Sequence, residues 1–151
     1  MRGKVVYLDS SVVVKRYVEE SGSDQVRNLY VSAYNGLVKI AFSLWNVGEV
    51  LEVLSRSRAK GLISIEDYQI TKTRFLSETW RLTKLGCLLI VPIRLSTLKA
   101  SWRIVEKHQV HQADALQIAS AKAVNASEFL VANRKLHQIA LEEGLNSKYI
   151  E

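Results

Sequence analysis

Val5-Val6-Tyr7-Leu8-Asp9-Ser10-Ser11 is the stretch whose reading decides the fold. Four consecutive apolar residues without a polar break predict a strand buried on both faces. The run ends in an acid and two hydroxyl residues, and Val12-Val13-Val14 then leads to Lys15-Arg16. Open α/β sheets carry their chemistry at the carboxyl ends of their strands, where a carboxylate beside a helix start would fall. Asp9, Ser10 or Ser11 equally suits a helix N-cap, accepting hydrogen bonds from the free N–H groups of the first turn. On this stretch alone both readings stand.

Outward from it, strands and helices alternate. A short helix is expected over Val12–Val18 and a second over Ser23–Tyr34, where Val26, Leu29, Tyr30 and Ala33 keep helical spacing. Asn35-Gly36 breaks the chain before a second strand, Leu37–Phe42. Ser43 caps a third helix that stops at Gly61, with Leu44, Val47, Val50, Leu51 and Leu54 on one arc. Ser64-Ile65-Glu66-Asp67 opens a fourth, striped every seven residues by Tyr68, Phe75 and Leu82. Cys87–Ile93, interrupted by Pro92, is the third strand. Ser96–Lys107 is a fifth helix with an apolar seam of Leu95, Leu98, Trp102 and Val105 and a basic stripe of Lys99, Arg103 and Lys107. Asp114–Ala123 is a sixth helix, Phe129–Ala132 a fourth strand and Arg134–Glu143 a seventh helix, with Lys148–Ile150 a short edge strand. The pattern predicts a three-layer α/β/α domain around a mostly parallel sheet of four to five strands.

At 151 residues, 48% apolar and 24% charged, the chain reads as a single globular domain over 1–151 rather than a disordered one. The lone Cys87 excludes a disulfide within the chain. The first apolar run is too short for a signal peptide, and no stretch approaches the ~18 apolar residues of a membrane span, so a cytoplasmic protein without a membrane partner is expected. The net charge of +6 is uneven: Lys39 to Lys107 holds twelve Lys or Arg against six Asp or Glu, and the remainder holds nine of each. That bias suits an anionic partner, nucleic acid first. His108 and His111 stand near Asp114, but no Cys or further His completes a zinc set, and they read as ordinary loop histidines.

Three acids remain: Asp9 after the first strand, Glu49 in the third helix and Asp114 at the start of the sixth. The wheel places Glu49 off the apolar arc, between Trp45 and Val53, and leaves Glu52 as its competitor; Asp114 reads equally as a cap or a first-turn acid. Leu8-Asp9-Ser10-Ser11-Val12-Val13-Val14-Lys15-Arg16-Tyr17-Val18, then Glu49-Val50-Leu51 with Gly61 beyond, then Asp114-Ala115-Leu116-Gln117-Ile118-Ala119 resemble, in order and separation, the PIN domain. Within it, the chain is similar to the VapC-like toxin ribonucleases, over nearly its whole length.

The resemblance implies that Asp9, Glu49 and Asp114, rather than Glu52, converge to hold Mg²⁺ or Mn²⁺ and cleave RNA. Carboxylates are the ligands such hard ions take. It also implies a supporting role for Ser11, RNA as substrate, a cognate antitoxin and a homodimer as partners. Arg56, Arg58 and Lys60, at the end of the helix that carries Glu49, are the expected RNA contacts. One departure stands out. Val131-Ala132-Asn133-Arg134-Lys135-Leu136 puts Asn133 where the family has a fourth acid, and an amide brings oxygen without charge. A weakened scaffold that binds RNA or a protein without cutting is the alternative. A nucleotide-binding or phosphotransfer domain lacks its phosphate loop.

Overall fold

The computed structural model describes residues 3–151; Met1 and Arg2 lie outside the described residues. Five strands form one sheet: β1 (Lys4–Leu8), β2 (Val38–Ser43), β3 (Leu88–Val91), β4 (Glu128–Val131) and β5 (Ser147–Tyr149). Their order is β3-β2-β1-β4-β5, and every pairing is parallel. The order reverses between β1 and β4. In a doubly wound sheet that switch point opens a crevice at the carboxyl ends of the two strands.

The helices are α1 (Ser10–Tyr17), α2 (Ser23–Tyr34), α3 (Leu44–Ala59), α4 (Ile65–Lys84), α5 (Leu95–His108), α6 (Gln112–Ala123) and α7 (Arg134–Glu142). Alternation along β1 divides the core between the two faces of the sheet. Val6 and Leu8 join Ile40, Phe42 and Leu130 under α1 to α4, whose Val13, Tyr30, Val50 and Phe75 are fully buried. Tyr7 points the other way, stacks on Phe129 at 5.7 Å between ring centroids, and meets α5, α6 and α7. The predicted three layers are present. Among the described residues no helix is long and apolar enough to cross a membrane.

The expected seam of α5 is the clearest misreading. Thr97, Ser101 and Ile104 face the protein, Leu98 and Val105 are half-buried, and Leu95 and Trp102 are exposed. The cause is the surface α5 packs on, the Ala-rich α6. Close approach there favours small residues, and Ser101 is satisfied by donating to the Leu98 carbonyl and accepting from Gln112 Nε2 at 2.6 Å. The basic stripe is also partly spent. Arg103, Lys107, His108 and Lys122 all surround the buried carboxylate of Glu143, whose pKa the Arg103 hydrogen bonds hold well below the usual range.

A second buried acid ties the opposite layer together. Glu78 on α4 accepts from Arg16 Nε and Nη2 at 2.9 and 2.8 Å, from the Tyr17 hydroxyl at 2.8 Å and from the Tyr34 hydroxyl at 2.7 Å. Burial alone would raise its pKa, but the bonds from Arg16, Tyr34 and Tyr17 outweigh that and hold it at about 2. The folded value lies below the ordinary 4.5. The stabilisation is therefore complete above that pH and is lost as pH falls toward about 2. Glu78→Gln should cost roughly 3 kcal/mol at pH 7, since it leaves Arg16 without its counter-charge. Urea unfolding across acid pH checks this: the variant should show a shallower decline than the wild type, and parallel curves would contradict it.

Candidate active site

Asp9 lies immediately after β1, at the switch point, and caps α1 as one of its two readings expected. Its carboxylate caps α1 by accepting from the Ser11 amide at 3.2 Å, and the Ser11 hydroxyl donates to the same oxygen, Oδ2. The Ser11 hydroxyl also accepts from the Ala132 amide just past β4, at 3.1 Å, which pins Asp9 against the neighbouring strand. The side chain is only 7% exposed.

Glu49 on α3 is half-buried and turned toward the same crevice, whereas Glu52 is exposed and pairs with Arg56 at 2.8 Å. Two donors converge on Glu49 Oε1: the Ser10 hydroxyl at 2.6 Å and Gln117 Nε2 at 2.9 Å. Helix α6 begins two residues earlier than the sequence suggested, so Asp114 is a first-turn acid and not its cap. It too is half-buried.

The electrostatics join the three. Burial raises all three pKa values. The charge of Asp114 raises Asp9 further, and the charges of Asp9 and Asp114 raise Glu49 further. For Asp114, attraction to His111 and Lys135 works against burial and pulls the value down. The acids face one another, yet among the described residues no three acid, His or Cys groups are gathered closely enough to hold a metal ion directly.

The remaining expected residues are further out. Asn133 is exposed, and its Oδ1 accepts from the Leu136 amide at 2.9 Å as the N-cap of α7. Arg56, Arg58 and Lys60 lie seven to eleven residues beyond Glu49, about 10–17 Å along α3. They are no part of the carboxylate group. His108 closes α5, where its Nε2 lies 2.8 Å from Glu143 Oε2. Sequence reading missed Ser10, Asn46, Gln117 and Tyr7, which hold Glu49 in place. Their signal was slight: Asn46 completes a capping box with Ser43, and Gln117 is the polar member of an otherwise small, apolar run.

Comparison with known proteins bears on the fold. A family model described as PIN domain matches residues 6–142. No curated protein matches at the sequence level. Among solved structures, VapBC2 from Rickettsia felis, bound to a DNA fragment from its promoter, superposes with a TM-score of 0.65 at 19% identity, covering 97% of this chain and 99% of that one. FitAcB from Neisseria gonorrhoeae gives 0.68 at 14% identity, covering 94% and 95%. VapC20 from Mycobacterium tuberculosis, a Sarcin-Ricin loop cleaving toxin, gives 0.59 at 12% identity, covering 82% and 86%. At such identities these likenesses speak for the fold.

Raised carboxylate pKa values mean that the ionised site works against folding at neutral pH. Asp9→Asn and Glu49→Gln keep the oxygen that each hydrogen bond uses and remove a repelling charge. In the presence of a chelator, each variant should melt a few degrees above the wild type by calorimetry. A lower melting temperature would show that the acids do not burden one another.

Proposed function

The chain belongs to the PIN domain family, and on that premise we propose that it is a divalent-metal-dependent endoribonuclease, the toxin of a VapBC-type toxin–antitoxin pair. The observation that carries the reading is three partly or fully buried carboxylates near the switch point of the sheet, each with a raised pKa, two of them feeling the charge of the others. Perturbed acids in a crevice mark sites of chemistry more often than sites of structure.

The donor set fits a hard divalent ion. Asp9, Glu49 and Asp114 offer only oxygen, and a cation offsets the burial of the three charges and the repulsion felt by Asp9 and Glu49. Ser11 holds one oxygen of Asp9, and Ser10 and Gln117 hold one of Glu49, so each carboxylate keeps its second oxygen for another partner. Bound there, Mg²⁺ or Mn²⁺ supplies Lewis-acid charge to the phosphate and lowers the pKa of a water. Lys135, whose charge pulls the Asp114 pKa down, fits a role in holding the phosphodiester. Arg56, Arg58 and Lys60 would carry the strand further along α3.

The toxin role is supported by the solved neighbours, which are toxin–antitoxin proteins by name. An antitoxin and a second copy of the chain are the proposed protein partners. Exposed Trp80, Leu95 and Trp102 give such partners apolar surface to cover. Asn133 favours the second reading, a scaffold that binds without cutting, because its amide adds no charge and its oxygen already caps α7.

Purified protein should cleave RNA with Mn²⁺ or Mg²⁺ and lose that activity with chelator, with Asp9→Asn or with Asp114→Asn. Cleavage that survives chelation would refute the metal mechanism. RNA affinity should fall steadily as salt rises, and more gently once Arg56, Arg58 and Lys60 are neutralised; identical salt slopes would remove these residues from the RNA path. Asn133→Asp should bind Mn²⁺ several-fold more tightly and cut faster at limiting metal. An unchanged titration would show that position 133 does not face the site.

A further inference from the structure

Glu49 is held by side chains whose hydrogen-bond directions are themselves fixed. The first path starts at a backbone N–H, which can only donate. The Ser43 amide donates to Asn46 Oδ1 at 2.8 Å, so Nδ2 of that amide must be the other end. Nδ2 donates to Ser10 Oγ at 3.0 Å and to the Leu8 carbonyl at 3.2 Å. With its oxygen accepting, the Ser10 hydroxyl directs its proton to Glu49 Oε1. The second path runs through the core. Gln117 is 1% exposed on α6, and its Nε2 donates to Glu49 Oε1. Its Oε1 is then an acceptor, filled by the Tyr7 hydroxyl at 2.7 Å. Tyr7 also lies 3.2 Å from Asn46 Oδ1, but that oxygen already accepts from the amide and hydroxyl of Ser43. A hydroxyl has one proton, and the shorter contact to Gln117 takes it.

We propose that Gln117 and Tyr7 are positioning residues: the buried relay Tyr7 → Gln117 → Glu49 aims the Glu49 carboxylate at the metal. It rests on the metal-site reading above and adds two residues to it. Three features carry it. The Asn46 orientation follows from the Ser43 amide, a donor that cannot reverse, and the Gln117 orientation from the ionised Glu49 carboxylate, which can only accept. Each step lies between different elements, β1 to α6 and α6 to α3, so the relay fixes α3 relative to the sheet at the height of the site. Gln117 also stands three residues after Asp114, on the next turn of α6, so one helix supplies an acid and the support for another.

The test is a calorimetric Mn²⁺ titration of the full chain as wild type, Tyr7→Phe, Gln117→Met, the double variant and Asp9→Asn. Melting in chelator and circular dichroism run alongside. Supporting groups around metal ligands typically change affinity 10–100-fold. Gln117→Met should weaken Mn²⁺ binding roughly tenfold. Tyr7→Phe, which keeps the ring and frees the Gln117 amide to turn, should weaken it by a smaller factor. Because Tyr7 acts only through Gln117, the double variant should bind no more weakly than Gln117→Met alone. Two independent packing defects would instead multiply. If Gln117→Met does not fold, Tyr7→Phe decides alone, and wild-type affinity there overturns the relay. Binding that is lost in Asp9→Asn but unchanged in both relay variants overturns this inference and leaves the metal site standing. A wild type that binds no Mn²⁺ sensitive to Asp9→Asn overturns both.

Discussion

The burial of Asp9, Glu49 and Asp114 near the carboxyl ends of β1 and β4, with Asp9 and Glu49 within reach of the other acids' charge, is the constraint on which the rest of this structure turns. Like charges brought out of water repel strongly, and nothing in the immediate surroundings of Asp9 or Glu49 neutralises them. Neutral donors hold them instead: the Ser11 amide and hydroxyl, the Ser10 hydroxyl and the Gln117 amide. The two acids with structural work are treated in the opposite way. Glu78 faces Arg16 and two tyrosines, and Glu143 faces Arg103, Lys107, His108 and Lys122. Both are driven low, while the three site acids are driven high. The same chain thus separates acids held by cations from acids held only by neutral donors.

Much of this was legible in the sequence, and the reason is periodicity. An unbroken apolar run ending in Asp9 specified a central strand, and the seven-residue stripe of α4 did bury Phe75 and Leu82. The seam of α5 failed because periodicity reports which face is apolar, whereas close packing on an Ala-rich helix selects for small residues. The structure buries Thr97 and Ser101 and leaves Leu95 and Trp102 outside.

The site was legible only in outline. The wheel could not choose between Glu49 and Glu52, because what distinguishes them is tertiary: Glu49 meets α1 and α6, and Glu52 meets only Arg56 one turn on. Gln117 and Asn46 carry no local signal of their role, since a buried amide is recognised by its partners and these come from distant parts of the chain. The ion pairs of the α5 stripe carry no local signal for the same reason: Arg103 and Lys107 are committed to Glu143 from across the fold.

Crystals grown with Mn²⁺ and measured for anomalous scattering would test the central claim most directly. The account predicts a peak in the crevice between β1 and β4, with oxygens of Asp9 and Asp114 in its coordination sphere and Glu49 Oε1 still bonded to Ser10 and Gln117. A peak elsewhere on the protein, or none at saturating Mn²⁺, would contradict it.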